Sequence, residues 1–505
     1  MTTTQQNPAF ESTEVGRIDA SLRTPGLLFC ISGAFWLVFS SLFALLYAAK
    51  LVAPGLLSTV PFLTFGTVKS VSLNALTHGW ATNAAFALIL WIMSRLSERA
   101  PDFDIRRYLV VPAGVVYNIF VTLGILSIFW GEGRPYYLLE IPGNISGALG
   151  LSFIFISVWT ILDYCRRKRR SAFISQHFIL GAVFWLAWTF SIVQLVIGPD
   201  SVPGVVQAVA ASWFAHAYIW LWLTPVALAV AYFLLPKLLG LPIRNYYLSF
   251  FGFWCLAFFA PWGGTAELVG GPVPVWIQVV GYVSGFLMII PITSISINLI
   301  HTALQPSVLK TNDGKNADIQ FSRFFVLWNS PTGRFIGTGV IIFPIFGLLA
   351  AMDALPGSRE SLQFTYWQEA ISLLGIHGFF SMILFGGIYF MLPRLLGREW
   401  PSSNLMTNHF NFSVIGFVTI VVCYLWAGSS QASAISDIHL NSLAVVKASS
   451  LALICSLAGF LFLLLGHVCF LINLVRITCE CQSNSNNIQQ GPALLNQSAE
   501  ERIEA

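Results

Sequence analysis

Nine ionisable side chains fall in or beside long apolar stretches of this sequence: His78, Asp163, His177, His216, Glu267, His301, Glu369, His377 and His467. Ionisable groups are costly in such surroundings, and where they persist they mark ligand sites, relays or pairs. Imidazoles can ligate metals, hold heme iron axially or pass protons, and carboxylates can pass protons or pair with cations. His78, His216 and His377 lie in the same half of three different apolar stretches, and Glu267 lies just past the end of a fourth. Their depths are compatible with one shared polar region. Spacing alone leaves two readings open: histidines from several helices holding a heme or metal, or separate helix-packing hydrogen bonds. His177, Asp163 and His301 fall near stretch ends, where interfacial solvation accounts for them. His467 sits deeper and is expected to keep one hydrogen bond in the core.

The elements that position these residues are transmembrane helices. Charged residues are 10% of the 505 positions and apolar residues 56%, and the mean hydropathy is +0.74. Such a chain cannot cover itself with polar atoms, so its main solvent is lipid. At about 20 residues per crossing, the sequence predicts twelve spans: Leu27–Lys50, Asn74–Arg95, Tyr108–Trp130, Gly147–Tyr164, His177–Ile197, Ala210–Leu235, Tyr246–Thr265, Ile277–Leu304, Phe335–Met352, Gln368–Leu392, Asn411–Gly428 and Ala448–Arg476. Unbroken apolar runs of this length exclude a barrel, whose strands are short and alternating. The expected fold is all-α, a polytopic twelve-helix bundle. Residues 1–24 form a cytoplasmic N-terminal segment, 25–478 one membrane domain, and 479–505, rich in Gln, Asn and Ser, a disordered cytoplasmic tail.

The basic residues set the orientation. With the N-terminus, the loops after even-numbered spans and the C-terminus on one side, the other side keeps only Lys50, Lys69, Arg134, Arg359 and Lys447 of the 26 Lys and Arg. The positive-inside rule then makes both termini cytoplasmic. The run Arg166–Arg170 reads as an anchor near anionic lipid, and no nucleic-acid partner is expected. The polar start shows no cleavable leader, so the first span is expected to act as its own insertion signal. The eight cysteines lie in spans or on the cytoplasmic side, which argues against structural disulfides. Cys479-Glu-Cys481 is too short for a metal motif, and no Cys-x-x-Cys-His occurs for c-type heme attachment.

Motifs along most of the chain carry a resemblance. They are Arg23-Thr24-Pro25, Leu73-Asn74-Ala75, Trp213-Phe214-Ala215-His216, the Tyr-Phe-Leu-Leu-Pro-Lys run ending at Lys237, Gly-Gly-Pro-Val-Pro-Val-Trp at 270–276, Gly-Phe-Phe-Ser-Met at 378–382 and Leu-Pro-Arg-Leu at 392–395. In this order and spacing the chain resembles the catalytic subunit I of cbb3-type cytochrome c oxidases, a branch of the heme-copper oxidase superfamily. The resemblance implies a twelve-helix bundle with metal centres toward the outer face. It also implies six histidines: one in span two and two in span ten for the hemes, one in span six and an adjacent pair in span seven for copper. Carried over residue by residue, these positions are Ser72, Ile371 and Leu373 for the hemes, and His216, Ala266 and Glu267 for copper. Only His216 is retained. Serine, isoleucine and leucine offer heme iron no nitrogen lone pair, and one imidazole with a carboxylate holds copper weakly.

The expected role is therefore a non-catalytic scaffold or partner subunit of a respiratory or related redox complex, a pseudoenzyme with no cofactor. One alternative keeps heme b on relocated ligands, His78 and His377. His377 is four residues past Leu373, about 40° round and one turn deeper, whereas His78 is six past Ser72, rotated by about 240°. The other alternative is an ion or proton transporter on the same bundle, with Glu267, Glu369 and His216 as relays. His216 and Glu267 are expected to form a hydrogen-bonded pair in place of the metal if both face the former copper pocket; otherwise Glu267 faces water. Implied partners are the lipid bilayer, other respiratory membrane subunits and a cytochrome c-type subunit, and the implied location is the bacterial inner (plasma) membrane. The topology is checked with Ser171→Cys and Asn441→Cys, which should label from opposite faces with an impermeant maleimide once the native exposed cysteines are replaced. Equal labelling of both from the cytoplasmic side would reject the twelve-span arrangement.

Overall fold

The computed structural model describes residues 8–98, 105–168, 171–198, 202–305, 307–310, 316–319 and 324–483. Twelve helices among them are long and apolar enough to cross a membrane. Spans one to six are Glu14–Val52, Phe65–Ser97, Leu109–Phe129, Gly143–Cys165, Ile174–Ile197 and Gly204–Leu239, and spans seven to twelve are Tyr246–Leu268, Val275–Ala303, Pro331–Asp353, Tyr366–Leu396, Ser403–Ser436 and Ser442–Cys479. Each overlaps one predicted span. The helix of span one starts at Pro8 and runs through Pro25, so most of the predicted N-terminal segment is already helical. The helix of span twelve continues to Ser483, and the rest of the predicted tail lies outside the described residues. Between spans eight and nine, strands β1 (Ser307–Lys310) and β2 (Asn316–Ile319) pair antiparallel with Ser307 opposite Ile319, an addition to the all-helical expectation.

Burial sorts the spans into an inner three and an outer nine. The apolar windows of spans two, six and ten are 100%, 94% and 89% buried, whereas the others bury 39–56% and turn the remainder to lipid. Apolar residues all round a helix are what an interior position requires. The three inner spans meet at Gly387, where an added Cβ would lie 2.7 Å from Leu88 of span two and 3.2 Å from Val230 of span six. Small residues admit this approach because lipid supplies no hydrophobic drive between helices. The Trp80 ring of span two stacks on Phe385 of span ten at 4.8 Å and donates its N–H to Ser381 at 3.0 Å.

Each inner span also contains one π-helical stretch: Ala75–Ala81, Tyr218–Leu223 and Leu374–Ser381. Such stretches are rare and cluster at functional sites, because the wider turn frees backbone groups and re-aims side chains. Two carbonyls of the first stretch take hydroxyl partners. The Thr77 carbonyl accepts from the Tyr218 hydroxyl at 3.0 Å and the His78 carbonyl from the Tyr117 hydroxyl at 2.6 Å.

The loop between spans three and four folds back onto the bundle, burying Leu138, Leu139, Glu140 and Ile141. Glu140 accepts from the Asn74 amide at 3.1 Å, and its backbone carbonyl accepts from Arg134 N at 2.8 Å. Burial outweighs these hydrogen bonds and the nearby Lys69, so the carboxyl is pushed up from 4.5 to about 7. A folded-state pKa above the unfolded value means that the native state holds the proton longer, so this group's contribution to stability is lost as pH rises from 4.5 to about 7. The wild type should thus lose about 2–3 kcal/mol across that window, measured by steric trapping in detergent, while Glu140→Gln should flatten this part of the profile.

Candidate functional site

Spans one, two and six to twelve line a cavity of about 680 Å³. Its apolar wall includes Leu76, Trp220, Phe346, Ile376, Phe460 and Leu463, and its polar wall includes Ser40, Ser41, His216, Gln368 and His377. Trp220 and Phe346 stack at 4.9 Å and make part of that wall rigid. All six positions that the sequence marked for metal ligands stand on this surface: Ser72, His216, Ala266, Glu267, Ile371 and Leu373. The fold brings together the six positions that the resemblance marks for ligands, and of these His216 alone is a histidine.

The substitutions are accommodated by new partners. Ser72 donates to the Ser40 carbonyl at 3.0 Å and Ser40 donates to the Ser72 carbonyl at 2.9 Å, a reciprocal clasp between spans one and two. The His216 ring is seated against Gly263 and Gly264. A Cβ on Gly263 would come within 2.5 Å of His216 Nε2, and one on Gly264 within 2.8 Å of His216 Cβ. The 3₁₀ segment carrying those glycines is tied to span six, with Trp213 Nε1 donating to the Pro261 carbonyl at 2.9 Å and Ser212 to the Gly264 carbonyl at 2.9 Å.

Charged residues form a collar at one end of the cavity. Lys69 meets Glu369 at 3.0 Å, and the Tyr47 hydroxyl lies 3.5 Å from the same carboxylate. Arg359 pairs with Asp353 and reaches Glu267 at 3.5 Å. Ser212 donates to Glu267 at 3.2 Å. The expected His216–Glu267 bond is therefore not formed. The carboxylate is taken by Arg359 and Ser212, and His216 Nε2 is buried without a partner. Glu267 does face water, with 42% of its side chain exposed, and holds Arg359 and Ser212 as well. Arg359, which sequence reasoning placed only as an outer-side charge, holds it because the short helix Pro356–Leu362 folds the guanidinium inward to 6% exposure.

The candidate heme ligands occupy different surroundings. His377 lines the cavity, with its ring 6.1 Å from that of His467. His78 is buried beside Tyr218 at 5.8 Å and is not among the cavity-lining residues. The π-helical turns contribute to this separation, since a wider turn changes the rotation per residue that α-helical spacing assumes. His467 makes one hydrogen bond, Nδ1 to Ser41 Oγ at 2.6 Å. Asp163 departs from the interfacial expectation: it is fully buried and accepts from Ser94 at 2.9 Å. His177 is half-buried with its ring 4.7 Å from Phe250, and His301 is exposed. Sequence reasoning missed His409, which lies outside predicted span eleven but is fully buried, with Nδ1 2.9 Å from the Tyr389 hydroxyl. The capping signal was Ser402, whose side chain accepts from Leu405 N and starts the helix well before His409.

These residues do not fit a heme held from positions 72, 371 and 373, which present a committed hydroxyl and two aliphatic chains. They do not fit a copper centre either, with one imidazole and a carboxylate already bound to Arg359. Among the described residues no group of three His, Cys, Asp or Glu side chains has a metal-holding arrangement.

Comparison with known proteins places this arrangement. The sequence profile of the family described as "Cytochrome C and Quinol oxidase polypeptide I" matches residues 24–461. A cytochrome c oxidase subunit 1 homolog of Agrobacterium tumefaciens (strain T37) is 24% identical over 410 residues, covering 79% of this chain and 72% of the relative. A cbb3-type cytochrome c oxidase subunit CcoN1 of Stutzerimonas stutzeri is 22% identical over 418 residues, covering 79% and 81%. In structure, the chain resembles a heme-copper terminal oxidase solved as a dimer by cryo-EM, with a TM-score of 0.64 at 13% identity, over 95% of this chain and 85% of that one.

The collar geometry predicts two different couplings. Glu267→Ala and Arg359→Ala should be non-additive in a double-mutant cycle of thermal stability, while Glu267→Ala and His216→Ala should add within about 0.5 kcal/mol. Strong coupling in the second cycle would mean that the two groups do meet.

Proposed function

The chain belongs to the cytochrome c and quinol oxidase polypeptide I family, and we propose that it is a pseudoenzyme of that family, a non-catalytic partner subunit within a respiratory or related redox membrane complex. One observation carries this reading. The six ligand positions converge on one cavity, and Ser72, Ala266, Glu267, Ile371 and Leu373 stand there where imidazoles would be needed. Oxygen reduction at a heme-copper pair needs iron with an axial nitrogen and copper with several. The reciprocal Ser40–Ser72 bonds and the Arg359 collar stabilise the cavity wall without either centre. What the chain keeps is the bundle and its lipid-facing surface, which would serve contacts with other respiratory membrane subunits or a cytochrome c-type subunit. The proposed site of action is the bacterial inner membrane with both termini in the cytoplasm, as the distribution of Lys and Arg supports.

Heme b on relocated ligands is the competing reading. His78 and His377 would have to face one iron, and His78 is turned toward Tyr218 rather than the cavity. The decisive measurement is the pyridine hemochrome and reduced-minus-oxidised spectrum of the purified protein, together with oxygen uptake using reduced cytochrome c. The expected result is no stoichiometric b-type heme and no cyanide-sensitive uptake traceable to this chain. One heme per chain would replace this proposal with an electron-transfer role, and robust uptake would restore catalysis.

A further inference from the structure

The cavity carries polar groups that a non-catalytic partner role does not use. Five of its lining side chains have buried polar atoms to which no group among the described residues is hydrogen-bonded: His216 Nε2, Asp353 Oδ1, Arg359 Nε, Gln368 Nε2 and His377 Nδ1. Asp353, Arg359 and His377 are only 6–8% exposed. The volume of about 680 Å³ falls within the range of about 300–1,000 Å³ typical of small-molecule sites. Tyr47, Phe65, Tyr137 and Tyr366 join Trp220 and Phe346 on the lining, so aromatic rings make up much of the wall.

Charge is spread unevenly over that lining. Among the described residues two cations, Lys69 and Arg359, stand against three carboxylates, Glu267, Asp353 and Glu369. Lys69 is taken by Glu369, which leaves the single guanidinium of Arg359 shared between Asp353 and Glu267. One negative charge is therefore uncompensated, and the second oxygen of the Asp353 carboxylate is buried without a donor. Tyr137, on the loop between spans three and four, lies within electrostatic reach of both Glu267 and Glu369, so both halves of the collar border one opening.

Ordered water would satisfy the five polar atoms, but water gains nothing from an aromatic wall. Ring faces attract cations through their quadrupole, and low-dielectric surroundings strengthen the pull of an unmatched carboxylate. An anion would lose its hydration and meet an acidic excess. A neutral apolar molecule would leave that excess and Asp353 Oδ1 unanswered. The mouth favours the same ligand. Phe364 stands on the lining 86% exposed, with φ +63, a left-handed backbone that a bulky residue keeps only where its surroundings impose it. Gln363 Nε2 donates to the Glu267 carbonyl at 2.9 Å and Thr365 Oγ1 to the Leu362 carbonyl at 2.7 Å. These bonds hold the turn and keep an aromatic ring at the entrance near Glu267.

We propose that the cavity binds an amphiphilic organic cation: a protonated amine on an aromatic body, with an N–H on Asp353 Oδ1 and its charge held at the Glu267–Asp353 side of the collar. His216 Nε2 and His377 Nδ1 are further acceptors when the opposite ring nitrogen carries the proton. The site goes beyond the subunit role, and it rests on that reading in needing a cavity free of heme.

Binding is measured by equilibrium dialysis of the purified full chain in nanodiscs against three probes with one naphthalene body: 1-naphthylmethylammonium, 1-naphthylmethanol and 1-naphthylacetate. Empty nanodiscs give the partition into lipid, which is subtracted. The ammonium should bind saturably and roughly tenfold tighter than the alcohol, with the acetate weakest. Glu267→Gln keeps an acceptor for Ser212 but removes the excess charge, so it should weaken the ammonium roughly tenfold and leave the alcohol unchanged. Glu399→Gln, past the opposite end of span ten, should change neither. Gel filtration and thermal unfolding check that the variants fold; if Glu267→Gln does not, Glu369→Gln is held to the same criterion. Alcohol or acetate bound as tightly as the ammonium, or a folded variant with the wild-type preference, would overturn the site. The hemochrome spectrum is read on the same preparation. Heme-free protein that binds no ammonium would overturn this inference alone, whereas a heme-filled cavity that binds none would overturn the subunit reading as well.

Discussion

The bundle depends on one constraint: inside lipid, a polar group that loses its partner must find another within the chain. At the five positions where the resemblance implies imidazoles and none stands, the side chains present must still satisfy their polar groups within the chain. The cavity wall shows how they do so. Ser72 turns to the backbone of span one, and Ser40 answers it. Isoleucine and leucine at 371 and 373 remove polarity instead of re-pairing it. Glu267 introduces a charge that the family pattern does not call for, and it is matched by Arg359, which also holds Asp353. The Arg359–Asp353 pair is buried while Glu267 stays 42% exposed; a buried pair is seldom a net gain over apolar packing, but breaking one is expensive. The collar is therefore best regarded as a largely neutralised boundary between the apolar cavity and the water beyond it.

Much of the architecture was legible in the sequence because membrane helices announce themselves by length and hydropathy, and all twelve were found. Their ends were less legible. Span eleven was cut short at Asn411 because the preceding residues are polar, so His409 was left outside. In the fold, helix continues back to its Ser402 cap, with Ser403, Asn404 and Asn408 exposed on one side and His409 buried on the other. Positions 72, 216, 266, 267, 371 and 373 could be located from motif order, and all six line one cavity, whereas of the four residues expected to share one polar region His78 does not reach it. The partners of Glu267 did not follow, since Arg359 lies on a short helix outside every span and reaches inward by tertiary packing alone.

Orientation of side chains along the inner spans was the least accessible feature. Counting residues at the α-helical rotation assumes a regular helix, and the stretches Ala75–Ala81 and Leu374–Ser381 are not regular. His78 thus finishes beside Tyr218, while His377 finishes on the cavity next to His467.

The three π-helical stretches have a consequence for how this chain tolerates insertion and deletion. A π turn holds one residue more than the α turn it replaces, so losing a residue within it can be absorbed by a return to α geometry with both flanks undisturbed. One residue lost elsewhere in the same spans rotates everything beyond by about 100°, and in helices 89–100% buried there is no lipid-facing side to receive the misplaced groups. Length variation in the three most enclosed helices is thereby funnelled into three short windows. Each window lies beside the cavity, where a change in length would reshape the interior lining without unseating the bundle.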